Sequence, residues 1–394
     1  MRGLLRRLHR WCGLVIAVLL LACSVTGSII AFEHELDAAL NPGLFRTGNL
    51  QPALPPNALI ARVEAQDPRI RVTQLPLDTR PGQASEWHVQ ARELPAGATA
   101  GLGFDRLFVA PSSGRVLGAR QWGAWQWDRA HLLPWLNRFH RTLTLPGRIG
   151  NQLLGAMAIL WLLLSLSGLV LTLPARWSNF WSRWKPAWQL KAGAKGFRLV
   201  NDLHRAMGLW VLPLALCTAF TGIYLNLGNE VFKPVASLFG PISPHPVATL
   251  AQLGAPRPSS AILSPEQAVQ AARGLLPDAA QDYVPWYMGH LAPRGAYRVA
   301  FKEPGMREQA LRVRYEQVFI DDQTGELLGR FGYLSGTATD RFLVWMYPLH
   351  SGKSWGLAGR LLISLSGLVI ALLCITGMLR WVKRRNMGKP TPRG

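Results

Sequence analysis

The stretch Leu8 to Gly27, LHRWCGLVIAVLLLACSVTG, returns at Leu203 to Gly222 as LHRAMGLWVLPLALCTAFTG. No charged residue falls between Trp11 and Phe32. A run of this length is enough for a membrane-spanning helix, which needs about 20 apolar residues. Its recurrence means that the chain repeats one plan twice. Each copy puts a histidine at the mouth of the helix and a glycine four residues on, His9 with Gly13 and His204 with Gly208. Residues i and i+4 share a helix face, so each helix offers an imidazole beside bare backbone.

Further charge-free runs cover Ile149 to Ala175, Ala206 to Asn229 and Leu361 to Leu379. They predict four spanning helices. The formal net charge of +21 would suit a nucleic-acid binder, but its distribution argues otherwise. Basic residues crowd before the first run, between the second and third, and after the fourth, where Asp202 is the lone acid. That is the signature of cytoplasmic segments. It sets the N-terminus, the middle loop and the C-terminus inside, makes nucleic acid an unsuitable partner, and leaves membrane lipid as the surroundings. The first run is too long for a signal-peptide core and has a twin in mid-chain, so it reads as a permanent anchor. The expected divisions are helix one (1–34), an outer module (35–147), helix two (148–175), a basic loop (176–205), helix three (206–229), a second outer module (230–356), helix four (357–380) and a tail (381–394). Helices one and three both run outward, so the two halves are parallel repeats about an axis along the membrane normal. Pro213 predicts a kink in helix three.

The outer segments also match. Apolar alternation around Gly114 in residues 107–118, and around Gly325 in residues 319–329, predicts a β-hairpin in each. Residues 86–91 and 297–301 read as further strands, and Ser264-Pro265-Glu266 reads as a helix start. The fold class is therefore membrane α-helical: four transmembrane helices in two parallel repeats, with two small outer α+β modules.

Of nine histidines, four fall at matching places. His9 and His204 lie at the inner ends of helices one and three, and His140 and His350 before the outer ends of helices two and four. Ionisable groups at membrane depth are costly and default to function. From His9 to Gly27 is about 27 Å of helix at 1.5 Å per residue. Gly27 and Gly222 thus fall at the level of His140 and His350, and Gly168 and Gly377 at the level of His9 and His204. Each level combines two imidazoles with small residues that clear space for a flat macrocycle, which points to haem. Two axial histidines leave no open position on the iron and suit electron transfer at low potential. Pro146-Gly147 and the Gly352 to Gly359 region suggest that helices two and four start after their histidines. His131 and His34 are therefore kept as substitutes at the outer level. His88, His245 and His290 read as surface or local-structure residues. The cysteines, Cys12, Cys23, Cys217 and Cys374, all lie in the apolar runs and read as packing residues. There is no zinc-type cluster, no P-loop and no dinucleotide fingerprint.

The opening LHRWCGL…TGSIIAFEHELDAALNP, the FHRTL and LHSG segments and the VFIDDQTGELLG hairpin resemble the PepSY-associated transmembrane helix family of bacterial inner-membrane proteins. The resemblance covers nearly the whole chain. It includes FoxB-type ferric-siderophore reductases, and so implies two haems b, PepSY-like periplasmic modules and reduction of a ferric siderophore in the periplasm with release of ferrous iron. By the same resemblance the axial ligands fall on His9, His140, His204 and His350. Some relatives carry a fused flavin reductase domain. A separate electron donor, a cytoplasmic reductase or a quinol, is expected here. No catalytic side chain is assigned. The competing expectation is a PepSY-type sensor or peptidase-regulating protein whose helices only anchor it.

Overall fold

The computed structural model describes residues 1–92, 101–252, 262–306 and 314–387. Lys389 and Arg393 of the basic tail lie outside them. The chain divides into two compact units. One comprises Met1–Phe32, Leu136–Val235 and Met346–Gly394, and the other Glu33–Trp135 and Ala236–Trp345. The segments carrying His140 and His350 therefore belong with the apolar helices and not with the second unit.

In the helical unit, Arg2–Ile30, Ile149–Thr172 and Lys353–Arg385 are long and apolar enough to cross a membrane. The fourth candidate is broken. Gly196–Trp210 and the helix that begins at Leu212 meet at a bend of 66°. Pro213 sits in the first turn of the second piece, where its missing N–H costs nothing. The kink expected at this proline is thus a full break. The first helix packs on the last and on Ile149–Thr172, which packs on Leu212–Leu227, while Gly196–Trp210 packs on the last helix. Ile16, Leu20, Cys23, Leu154, Met157, Ala215, Ile370 and Cys374 fill the middle, so two of the cysteines are core residues. Large apolar side chains such as Val15, Val18, Leu163 and Leu365 stay exposed on the outside, as a lipid-facing surface requires. The first and last helices approach closely. A β-carbon on Gly367 would overlap Ser28, and Ser28 Oγ donates to Ser364 O at 2.8 Å while Ser364 Oγ donates to Ser28 O at 3.1 Å. Small residues and hydroxyls commonly join helices in this way in membranes.

The other unit corrects an expectation. In place of two separate modules it holds one antiparallel sheet of eight strands, ordered β4-β3-β2-β1-β5-β6-β7-β8. The strands are β1 (Ile70–Pro76), β2 (Ser85–Ala91), β3 (Arg106–Val109), β4 (Val116–Arg120), β5 (Val284–Leu291), β6 (Ala296–Lys302), β7 (Tyr315–Asp321) and β8 (Leu327–Gly332). Each half contributes a four-strand meander. The two join where Gln74 pairs with Gly289 and Leu75 with Met288. That seam removes two open edges, which would otherwise invite foreign strands. It also merges two half-cores. Leu59 and Val63 of helix Pro56–Gln66 and Ala268 and Ala272 of helix Pro265–Gly274 pack in one cluster with Trp87, Val109, Val299 and Ile320. The expected hairpins are β3–β4 and β7–β8, with Gly114 at φ 74° and Gly325 at φ 75°, a conformation that favours glycine. Ser264 caps its helix, accepting from Gln267 N at 3.2 Å.

Candidate functional site

All four matched histidines fall in the helical unit. His9 lies in the first helix and His204 in Gly196–Trp210. His140 ends the helix Arg129–Thr142, and His350 lies in Met346–Ser351. Both therefore precede the apolar helix that follows, each on its own short helical segment. After His140 the backbone turns through Leu143 and Thr144, both left-handed at φ 53° and 55°. Non-glycine residues pay roughly 1–2 kcal/mol each for this conformation. The turn is held by Leu143 N donating to Phe139 O at 2.7 Å and Leu145 N to Thr142 O at 3.0 Å. After His350 the turn runs through Gly352, whose backbone lies against Gly359 too closely for any β-carbon there.

Each imidazole meets a hydroxyl and the glycine directly after it on a neighbouring helix. His140 Nδ1 is 3.1 Å from Thr26 Oγ1, and a β-carbon on Gly27 would stand 2.9 Å from His140 Cε1. His350 Nδ1 is 2.9 Å from Thr221 Oγ1, with Gly222 at 3.7 Å by the same measure. His9 Nδ1 is 2.8 Å from Ser167 Oγ, with Gly168 at 3.2 Å. His204 Nδ1 is 3.0 Å from Thr376 Oγ1, with Gly377 at 3.3 Å. These glycines lie at the levels that helix length implies. What they clear is room for the edge of an imidazole ring.

Donor counting assigns the tautomer. Each hydroxyl donates its single proton to a carbonyl of its own helix: Thr26 to Ala22 O at 2.8 Å, Ser167 to Leu164 O at 2.9 Å, Thr221 to Cys217 O at 2.7 Å and Thr376 to Leu372 O at 2.8 Å. Its oxygen can then only accept, so each Nδ1 carries the hydrogen and each Nε2 keeps its lone pair. In the neutral form of each ring the lone pair is therefore on Nε2.

They stand in two pairs. The rings of His140 and His350 have centroids 6.4 Å apart and planes 54° to each other. Two metal–nitrogen bonds of about 2 Å, plus a ring radius of roughly 1.1 Å on each side, separate axial imidazole centroids by about 6 Å. The separation of the two rings matches that of two imidazoles sharing one metal. His9 and His204 lie within electrostatic range of each other and of Arg380. Among the described residues no three His, Cys, Asp or Glu converge on one point. A pair of imidazoles therefore suits an iron whose remaining positions are filled by a macrocycle. Beside His9, a β-carbon on Gly13 would meet nothing within 4 Å, and one on Gly208 would meet only Leu373, at 3.8 Å. The helix surface next to each inner histidine is open.

The substitute histidines are engaged elsewhere, in the sheet unit. His34 packs edge-on against Phe45 at 5.6 Å. His131 Nδ1 is held by the Asp128 carboxylate at 2.8 Å. His290 meets Asp322 at 2.9 Å and stacks on Tyr297, and His245 lies over Phe331. Sequence reasoning missed the four hydroxyls. Their signal is a Ser-Gly or Thr-Gly dipeptide in each apolar run, at 26–27, 167–168, 221–222 and 376–377.

The family described as the PepSY-associated TM region matches residues 6–384. An uncharacterized protein of Pseudomonas aeruginosa is 29% identical over 266 residues, which cover 64% of this chain and 63% of that protein. The chain thus spans less than two thirds of the curated relative that it matches.

Proposed function

The chain belongs to the PepSY-associated TM region family, and from that footing we propose that it is a di-haem oxidoreductase of the bacterial inner membrane. In this reading four spans in two parallel repeats carry the sheet on the periplasmic side, with both termini in the cytoplasm. Electrons from a cytoplasmic reductase or a quinol cross to a ferric siderophore outside, which releases ferrous iron.

The observation that carries the reading is the approach of His140 to His350, 6.4 Å between centroids, with both Nδ1 atoms turned onto threonine hydroxyls. Haem bound at each pair would supply one-electron ferric/ferrous chemistry. The protein's own part is positional. His140 and His350 would both be spent on holding that group, so substrate would be met at its edge and no dedicated catalytic side chain would be needed. Thr26 and Thr221 fix the ring planes and select the tautomer whose neutral form has its lone pair on Nε2. A neutral hydroxyl acceptor strengthens the imidazole as a donor less than a carboxylate would. Outward electron movement is favoured by about 2.3 kcal/mol per 100 mV of membrane potential, inside negative.

A pyridine haemochrome assay on the purified full chain tests the reading. Two haems per chain are expected, one lost in H140A or H350A and the other in H9A or H204A. Colourless protein without Soret absorption would refute it and favour the sensor or peptidase-regulating alternative, in which these substitutions leave function intact.

A further inference from the structure

Arg380 follows Thr376 by four residues and Gly377 by three on the last helix, and those two residues seat His204. Spacings of three and four share a helix face. The outward face is marked by Ile375, Leu379 and Val382, exposed by 40%, 41% and 44%. Arg380 is half-buried on the inward side, within electrostatic range of both His9 and His204. It has no hydrogen-bond or ion-pair partner among the described residues. Asp202, the acid of the inner loop, is committed to Arg198 at 2.9 Å and Arg205 at 3.1 Å. The duplication supplies no second copy, because the position four residues after Ser167 is Leu171.

A guanidinium partly withdrawn from water without a counter-charge is expensive. An arginine at the end of a span can relieve that cost by stretching toward lipid headgroups. This one instead occupies the face that carries the histidine-seating residues. We infer that Arg380 binds the carboxylate edge of the cofactor held between His9 and His204, the propionates of a haem, and so distinguishes the inner site from the outer. The inference rests on the di-haem reading. Arginine suits the role because its planar fork meets a carboxylate with two parallel hydrogen bonds. A fixed positive charge beside the iron also favours the reduced state, so the inner site takes up electrons at a higher potential than it would without Arg380.

The test is a potentiometric titration of the purified full chain, followed by visible absorption, for wild type, R380Q and R380K. It is run in nanodiscs of zwitterionic lipid and again with anionic lipid. R380Q should move the midpoint of one haem to lower potential and leave the other in place, R380K should move it less, and both effects should be the same in the two lipids. Unchanged midpoints in R380Q would overturn the inference. So would a shift seen in anionic lipid alone, which would assign Arg380 to a lipid headgroup. If wild type held no haem, the di-haem reading itself would fail, a result distinct from either. The unperturbed second haem reports that R380Q is folded.

Discussion

Gly27 and His140 are in contact so tight that a single added carbon cannot be fitted between them without movement. The β-carbon would fall 2.9 Å from Cε1, whereas at the matching Gly222 the distance to His350 Cε1 is 3.7 Å, an ordinary contact. The two halves share a plan but not the same tolerance. G27A should therefore displace His140, lowering haem content by up to half or shifting one set of absorption bands, while G222A should resemble wild type. Haem content and visible spectra of the two variants check this, and equal behaviour would count against it.

Gly13 supports a different kind of test. Among the described residues, nothing beyond its own chain neighbours and helix backbone stands within 4 Å of a β-carbon there, so packing gives G13A no reason to suffer. Alanine is also the better helix former, by about 1 kcal/mol. On the di-haem reading, preserved folding with weakened retention of the inner haem is expected, because the added methyl would enter space left to the cofactor. Thermal stability of the haem-free chain compared with haem occupancy separates the two effects.

Thr26 and Thr221 accept from the Nδ1 hydrogens of His140 and His350, rings that also reach the backbone carbonyls of Cys23 and Thr218. T26V or T221V removes the hydroxyl acceptor with little change in volume and leaves the ring N–H only the backbone carbonyl, at a cost of about 0.5–1.5 kcal/mol. Weaker donation by Nε2 should raise the midpoint potential of the outer haem. Ser165 serves as control, since its hydroxyl donates to Trp161 O at 2.9 Å and approaches no histidine. S165A should leave both potentials unchanged.

In the sheet unit, Arg120 and Asp37 form a pair at 2.7 Å with both side chains 4% exposed. Arg120 also donates to Ala130 O at 3.1 Å and Glu86 at 3.2 Å. R120A leaves the Asp37 carboxylate buried without its cation and should cost roughly 3–5 kcal/mol. Thermal unfolding of the full chain measures it. The D37A/R120A double variant should lose less than the sum of the single losses, because the stranded charge is then gone.

His88 lies in β2, where burial and then the positive charge of Arg106 pull its imidazole down to about 4. An unfolded chain takes up a proton at this residue near pH 6.5, and the folded chain resists until about pH 4. Protons therefore favour the unfolded state across that window, and stability falls as pH drops from about 6.5 toward 4. H88Q should have a flatter melting profile than wild type between pH 7.5 and 5. Identical profiles would remove His88 as a cause.

By itself the sequence determined whatever a local period or a repeat can encode. The apolar runs, the two glycine-turned hairpins, a bend at Pro213 and the four matched histidines all follow from local patterns and the repeat, where the chain's own stereochemistry decides. Helix rise alone put Gly27 level with His140. Only the tertiary structure decided which side chains meet across those levels. A following glycine marks Thr26 and not Thr218, but it names no partner: both donate to a carbonyl of their own helix, and only the rotation of one helix against another turns Thr26 to an imidazole. Nor did two hairpin patterns reveal that the meanders share one sheet. A strand edge is satisfied by any partner of matching register, and the pairing of Gln74 with Gly289 is settled by packing between segments far apart in the chain.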